Sequence, residues 1–295
     1  MTEQPTPAPL RVDDTPRILG IVNITRDSFS DGGKYLEANH AIAHARRLAA
    51  DGAQILDLGA ASSHPDGEKV SPEEEIARLE PVIAGLRDAA SSTEDANQLN
   101  PANASTSISI SIDTYQPEVQ RFALKQPGVA YLNDINGFAH PELYPELAAA
   151  SARLIVMHSV QGFGQADRRE TPADEILERT LAFFDQRVAA LTEAGVARER
   201  LILDPGMGFF LGSGPDASLA ILRGIPELKR RFDLPVLISV SRKSFLGALT
   251  GRETAERGAA TLAAELYAAR SGADYLRTHD VAALRDGLVI ESALK

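Results

Sequence analysis

At 295 residues the chain is long for one average domain and suits a single α/β barrel. It has no cysteine, which excludes a disulfide framework, a thiol nucleophile and a thiolate metal site. A formal net charge of -11 argues against non-specific binding to nucleic acid or to an anionic membrane, and no apolar run approaches the roughly 20 residues that span a bilayer.

In chain order, residues 1–16 (MTEQPTPAPLRVDDTP) are proline-rich and acidic, the reverse of a secretory signal, and read as a flexible tail on a cytoplasmic protein. From residue 17 onward, short apolar, β-branched runs recur at 17–23, 54–60, 107–113, 130–135, 153–158, 200–206, 236–241 and 275–279. Their nearly continuous apolar character is that of strands buried on both faces. Helical patterns lie between them. In SPEEEIARLEPVIAGLRDA, Ser71 and Glu74 form a capping box around Pro72, and Ile76, Leu79, Ile83 and Leu86 share one face. Pro81 is expected to kink that helix. A second helix opens at TPAD, carries the stripe Leu177, Leu181, Phe184, Val188 and Leu191, and ends at Gly195. The polar stretch 91–107 reads as a flexible insertion at the N-terminal side of the sheet, remote from chemistry. Eight strands alternating with helices give a single-domain (β/α)8 TIM barrel over 17–295, with an open doubly wound sheet as the alternative.

Barrel enzymes place their reacting groups at the C-terminal ends of strands. Here those ends carry Asn23, Asp57, Asp113, Asn133 with Asp134, His158, Asp204, Ser241 with Arg242 and Lys243, and Arg277 with His279. Burying a charge at a strand end is costly unless it is paired, so a full ring of polar ends points to a site. Asp113, Asn133, Asp204 and Lys243 suit the edge of a flat, amide-like heterocycle. Arg242, Lys243, Arg277 and His279 are donors suited to phosphate, a local cationic cluster on an acidic protein. Weaker signals are set aside. The glycines of GMGFFLG are spaced one residue too long for a dinucleotide fingerprint. His40 and His44, four apart on a helix, lack further metal ligands nearby and read as a solvated face, and His140 reads as an ordinary surface histidine.

Six ordered segments, GIVNITRDSFSDGG, SIDTY, LNDING, DPGMGF, SRKSFLG and RTHDV, resemble the signatures of the dihydropteroate synthase family over residues 17 to 290. The resemblance implies an enzyme that joins 6-hydroxymethyl-7,8-dihydropterin pyrophosphate to p-aminobenzoate, typically as a homodimer through late helices of the barrel. It implies that Asp113, Asn133, Met157, Asp204 and Lys243 hold the pterin. Asn23, His64, Arg277 and His279 would meet the pyrophosphate, with Asn23 also a ligand of Mg²⁺. Ser63, Pro65, Phe209 and Ser244 would surround p-aminobenzoate, and Phe29 and Asp31 would lie on a closing loop. By the same resemblance Asp113, Asp204, Lys243, Arg277 and His279 carry catalysis, with Arg277 and His279 neutralising charge on the leaving group.

One departure stands out. The family pattern Gly-Gly-Glu-Ser-Thr-Arg-Pro-Gly is replaced by GAASSHPD, which puts His64 where the family has an arginine and Ser63 where it has a threonine. AASSHPD, YLNDINGF, VMHSVQ and DPGMGFF resemble the sulfonamide-insensitive branch of the family, which implies reduced sulfonamide sensitivity; divergence of a housekeeping enzyme is the plainer account. Two further alternatives remain open on the sequence: the pterin-binding domain of corrinoid-dependent methyltransferases, and a paralogue that binds pterin without turnover.

Overall fold

A computed structural model describes residues 15–24, 34–61, 67, 69–91, 108–161, 164, 171–212 and 214–294. Among these residues eight strands form one sheet: β1 (Arg17–Asn23), β2 (Ile55–Gly59), β3 (Ser109–Asp113), β4 (Val129–Asp134), β5 (Arg153–Met157), β6 (Leu201–Asp204), β7 (Leu237–Ile238) and β8 (Tyr275–Thr278). All seven neighbouring pairs are parallel, in the order β6-β5-β4-β3-β2-β1-β8-β7. A bridge from Leu203 to Val236 and the hydrogen bond from Leu203 N–H to the Pro235 carbonyl (2.8 Å) join the two ends, so the sheet closes into a barrel rather than staying open. The helices are α1 (Lys34–Ala50), α2 (Pro72–Ser91), α3 (Pro117–Leu124), α4 (Tyr144–Ala149), α5 (Ala173–Glu193), α6 (Pro215–Phe232), α7 (Ser244–Thr250), α8 (Gly258–Arg270) and α9 (Val281–Ala293).

The helix readings carry over with local corrections. Leu79 and Ile83 of α2 are buried and Ile76 and Leu86 pack against the core. Ser71 Oγ accepts the Glu74 N–H at 3.2 Å, one half of the expected capping box. The Glu74 carboxylate binds Arg78 at 2.6 Å, and Arg78 in turn donates to the Ala60 carbonyl at 3.0 Å, tying α2 to the end of β2. The helix runs unbroken across Pro81. In α5 the expected stripe is buried except for the partly exposed Leu177, and Gly195 follows with φ +95, a left-handed geometry that ends helices at glycine. The strand expected at 236–241 is only two residues long, because the chain turns at Ser241 and Arg242 to begin α7. The tail to Asp14 and residues 92–107 of the expected insertion lie outside the described residues.

Period two within the strands sets the interior. Leu19, Ile55, Tyr131, Ile155, Ile202, Leu237 and Tyr275 pack into one apolar layer across the barrel. Arg17 closes it from below, donating to Tyr131 Oη at 2.7 Å with its guanidinium 6.0 Å from the Tyr131 and Tyr275 ring centres. Two residues further along each strand, the same face carries Ile21, Asp57, Asn133, Met157, Asp204, Ser239 and Arg277. The apolar plug is thus roofed by a layer rich in polar groups at the C-terminal mouth.

Candidate active site

Arg277 organises the mouth. Its Nε donates to Asp57 Oδ2 at 2.5 Å and its Nη2 to Asp113 Oδ2 at 2.6 Å, linking β8 to β2 and β3. Asp57 is fully buried and the other two side chains are 15% exposed. Burial works against the charge on Arg277, yet the Asp57 and Asp113 carboxylates hold it more firmly cationic than usual. Burial pushes Asp113 up to about 7, with Arg277 the main opposing influence. Asp204, whose Oδ1 accepts the Gly206 N–H at 2.8 Å, is pushed up to about 6 by burial. Lys243 is pushed down to about 8 by burial and by Arg277, while Asp204 and Asp113 resist.

Next to these charges lies a small apolar wall of Ile135, Met157 and Phe210, with Tyr115 and Phe209 packed on it. The Lys243 ammonium sits 5.2 Å from the Phe210 ring centre, a cation–π contact that holds it against this wall. Three polar atoms on adjoining strands, Asp57 Oδ1, Ser111 Oγ and Asn133 Oδ1, are buried without a hydrogen-bond partner among the described residues. Leaving such a group unsatisfied costs about 1–3 kcal/mol, so a polar partner at each of the three is favoured.

The loops after β6 and β7 meet beside the wall. Gly206 has φ +72, and a Cβ there would lie 2.4 Å from the His158 carbonyl, so only glycine allows this approach. A Cβ on Gly208 would stand 3.4 Å from Ser244 Oγ and from Lys243 Cδ, which brings Phe209 and Ser244 to the same side. Arg242 is held at φ +58, its N–H donating to Thr261 Oγ1 at 3.0 Å and its carbonyl accepting from Arg257 at 3.0 Å.

Several expectations change. The cationic cluster is partly offset: Arg277 is engaged by two carboxylates, and His279 is driven down to about 3 by burial and by Arg242, Arg277, Lys243 and His44. His279 is therefore a neutral hydrogen-bonding ring here, not a charge-neutralising cation. Two of the polar strand ends are structural. Asp134 accepts from Gln120 (2.9 Å) and from the N–H groups of Asn136 (2.7 Å) and Phe138 (3.0 Å). His158 is buried beside Phe183, its Nδ1 3.2 Å from the Pro205 carbonyl, and burial holds it neutral, near 4.

Asn23 ends β1 exposed to solvent. His44 is half-buried, not solvated, and bonds Arg47 at 2.9 Å; no group of three metal-ligating side chains occurs among the described residues. His140 bonds Glu142 at 2.9 Å. Phe29, Asp31, Ser63, His64 and Pro65 lie outside the described residues. Asp57 is the group whose role sequence reasoning missed: it stood at a strand end, but nothing in its neighbours along the chain pointed to Arg277, 220 positions away.

Comparison with known proteins agrees with this geometry. Residues 19–279 match the family described as pterin binding enzyme. The chain is 57% identical over 278 residues to dihydropteroate synthase type-2 of Escherichia coli, covering 94% of this chain and 96% of the relative. A dihydropteroate synthase of Xanthomonas albilineans solved with 4-aminobenzoic acid superposes with a TM-score of 0.81 at 37% identity, covering 95% of this chain and 93% of that one. The enzyme of Anaplasma phagocytophilum with bound 6-hydroxymethylpterin-monophosphate gives 0.80 at 37% identity, with 95% and 100% covered. Full-length similarity to synthases sets aside the methyl-transfer alternative.

Proposed function

The chain belongs to the dihydropteroate synthase family, transferases that condense 6-hydroxymethyl-7,8-dihydropterin pyrophosphate with p-aminobenzoate, and from that premise we propose how its barrel mouth divides the work. The pterin lies against Ile135, Met157 and Phe210. Its amide edge is read by Asn133, Asp113 and Asp204, with Lys243 as a donor over the same ring. Asn133 Oδ1 carries this reading: it is a buried acceptor without a partner among the described residues, in the polar layer directly above the plug. A bound heterocycle that donates to it recovers the cost of leaving it unpaired.

The pyrophosphate leaves with the bonding pair of the methylene C–O bond, and positive character spreads into the pterin ring. Arg277 and His279 meet the departing oxygens. Arg277 does so through Nη1, the nitrogen its two carboxylates leave over, and His279 as an N–H donor. The amine lone pair of p-aminobenzoate, seated by Phe209 and Ser244 together with Ser63 and Pro65, forms the new C–N bond, and its nitrogen releases one proton to solvent. His64 and Asn23 complete the anion end. An exposed Asn23 oxygen, with no all-protein cage among the described residues, fits a Mg²⁺ held mainly by substrate phosphates and water. Such an ion supplies charge neutralisation at the phosphate oxygens.

The protein acts as a cytoplasmic homodimer, for which the exposed Leu249, Tyr267, Val289, Ile290 and Leu294 on and next to the late helices α7, α8 and α9 provide apolar surface. Its loop departures support reduced sulfonamide sensitivity, and inhibition at the drug level that stops an ordinary family member would refute that. The main test is pyrophosphate release with Mg²⁺, with and without p-aminobenzoate. Release that requires p-aminobenzoate and falls at least tenfold in N133A is expected. Wild-type turnover in N133A would remove Asn133 from the pterin site.

A further inference from the structure

Behind His279 runs a line of polar side chains that substrate binding leaves unused. Ser241 Oγ lies 2.9 Å from His279 Nδ1, accepts the His279 backbone N–H at 3.2 Å, and is 3.5 Å from Thr278 Oγ1. Thr278 Oγ1 accepts the Asp280 N–H at 3.2 Å and hydrogen-bonds the carboxyl of Glu265 on α8. Ser241, Thr278 and Glu265 are all buried, and Glu265 Oε1 has no partner among the described residues. A charge in that position is costly. Burial, reinforced by Asp280, pushes Glu265 up to about 8, so the carboxyl is protonated at neutrality.

The protons can then be counted. A hydroxyl has one proton and two acceptor sites. Thr278 accepts from Asp280 N–H and from the Glu265 carboxyl, so its own proton is directed to Ser241, the longest link of the chain. Ser241 now accepts from Thr278 and from the His279 N–H, and only its own proton is left for Nδ1. An imidazole that accepts at Nδ1 carries its proton on Nε2.

We propose that Ser241, backed by Thr278 and the buried Glu265, is a positioning residue that fixes His279 as the Nε2–H tautomer, so that the ring meets the departing pyrophosphate as a donor of fixed direction. This rests on the reading of His279 as a pyrophosphate ligand. An ionised Glu265 would instead take the Thr278 proton, open one acceptor site on Ser241, and let either tautomer form. The groups facing the relay are Asp280 at Glu265, and Arg242, Arg277, Lys243 and His44 at His279. Burial, with those groups, holds the ring neutral, the state in which tautomer matters.

The test is ¹⁵N NMR of the full chain with labelled histidine, with and without inorganic pyrophosphate, using H279Q for assignment. Wild type at pH 7 is expected to show Nε2–H, and S241A a mixture of both tautomers. E265L should also give a mixture, whereas E265Q, whose amide nitrogen still donates to Thr278, should retain Nε2–H. Raising the pH through about 8 should mix the tautomers in wild type but not in E265Q, which separates Glu265 from Lys243. In S241A, kcat/KM for the pterin pyrophosphate should fall about tenfold, one hydrogen bond's worth, with KM for p-aminobenzoate unchanged. Nδ1–H in wild type, or intact Nε2–H in S241A, overturns the proposal. Pyrophosphate that inhibits the enzyme yet leaves the His279 resonances unmoved would defeat the ligand reading instead, and the variants would still decide the tautomer.

Discussion

Removing the Asp57 carboxylate tests whether Arg277 is charge-locked. Asp57 is fully buried and takes the Arg277 Nε–H at 2.5 Å, while Asp113 takes Nη2–H at 2.6 Å. In D57A the buried guanidinium loses one of two counter-charges and a shaped hydrogen bond. Breaking a buried ion pair from one side costs about 3–5 kcal/mol. D57N keeps the shape and a neutral acceptor, so only the charge-assisted part of the bond is lost, about 2 kcal/mol. The surviving partner also matters, because Asp57 raises Asp113 by repulsion. Without it, Asp113 pairs more fully with Arg277 and ionises at lower pH. The assay is urea denaturation at pH 7.5, comparing midpoints at unchanged m-value, with kcat/KM for the pterin pyrophosphate measured in parallel. Expected is a loss of stability in the order D57A, D57N, wild type, and a fall in kcat/KM in both variants. Stability of D57A within 1 kcal/mol of wild type, roughly the size of a surface contact, would show that Asp57 does not hold Arg277 in solution.

Two further outcomes follow from the loops that frame the site. His158 is lowered by burial from 6.5 to about 4, so the unfolded chain binds the extra proton between those values and stability rises with pH across that window. Asp113 and Asp204, raised to about 7 and about 6, act in the opposite sense, so the reading is how the difference between wild type and H158N changes with pH: constant above 6.5, and moving about 3 kcal/mol toward the variant by pH 4. A pH-independent difference would refute it. G206A must place a Cβ 2.4 Å from a backbone carbonyl at φ +72, and is expected to lose about 2–4 kcal/mol in denaturation with weakened pterin binding; a loss under 1 kcal/mol would mean that the loop after β6 has another path.

Much of this arrangement is readable along the chain because it is local. Apolar runs such as RILGIVN and RLIVMH state that a strand is buried on both faces, and the i, i+2 rule then sends Ile55 into the plug and Asp57 into the mouth. The stripe on α5 and its stop before Gly195 are likewise local facts of helix period and glycine geometry. Polar strand ends mark where a site lies, but not which of them belong to it. Asp134 and His158 look like Asp113 and Asp204 in sequence, yet the first two spend their polar atoms on Gln120, on backbone N–H groups and on the Pro205 carbonyl.

The strands, the face each residue takes and the end of the barrel where polar groups gather are legible in the order of residues, since these depend on periodicity and on neighbours within one turn or one strand. The pairings and the charge states arise only when the barrel closes. Asp57 meets Arg277 across 220 positions, Glu265 comes up behind Thr278, and His279 becomes neutral because it is buried, with Arg242, Arg277 and Lys243 nearby. Those outcomes are sums of desolvation and Coulomb energy over groups that closure of the barrel brings within a few ångströms, and such sums have no counterpart in the order of residues along the chain.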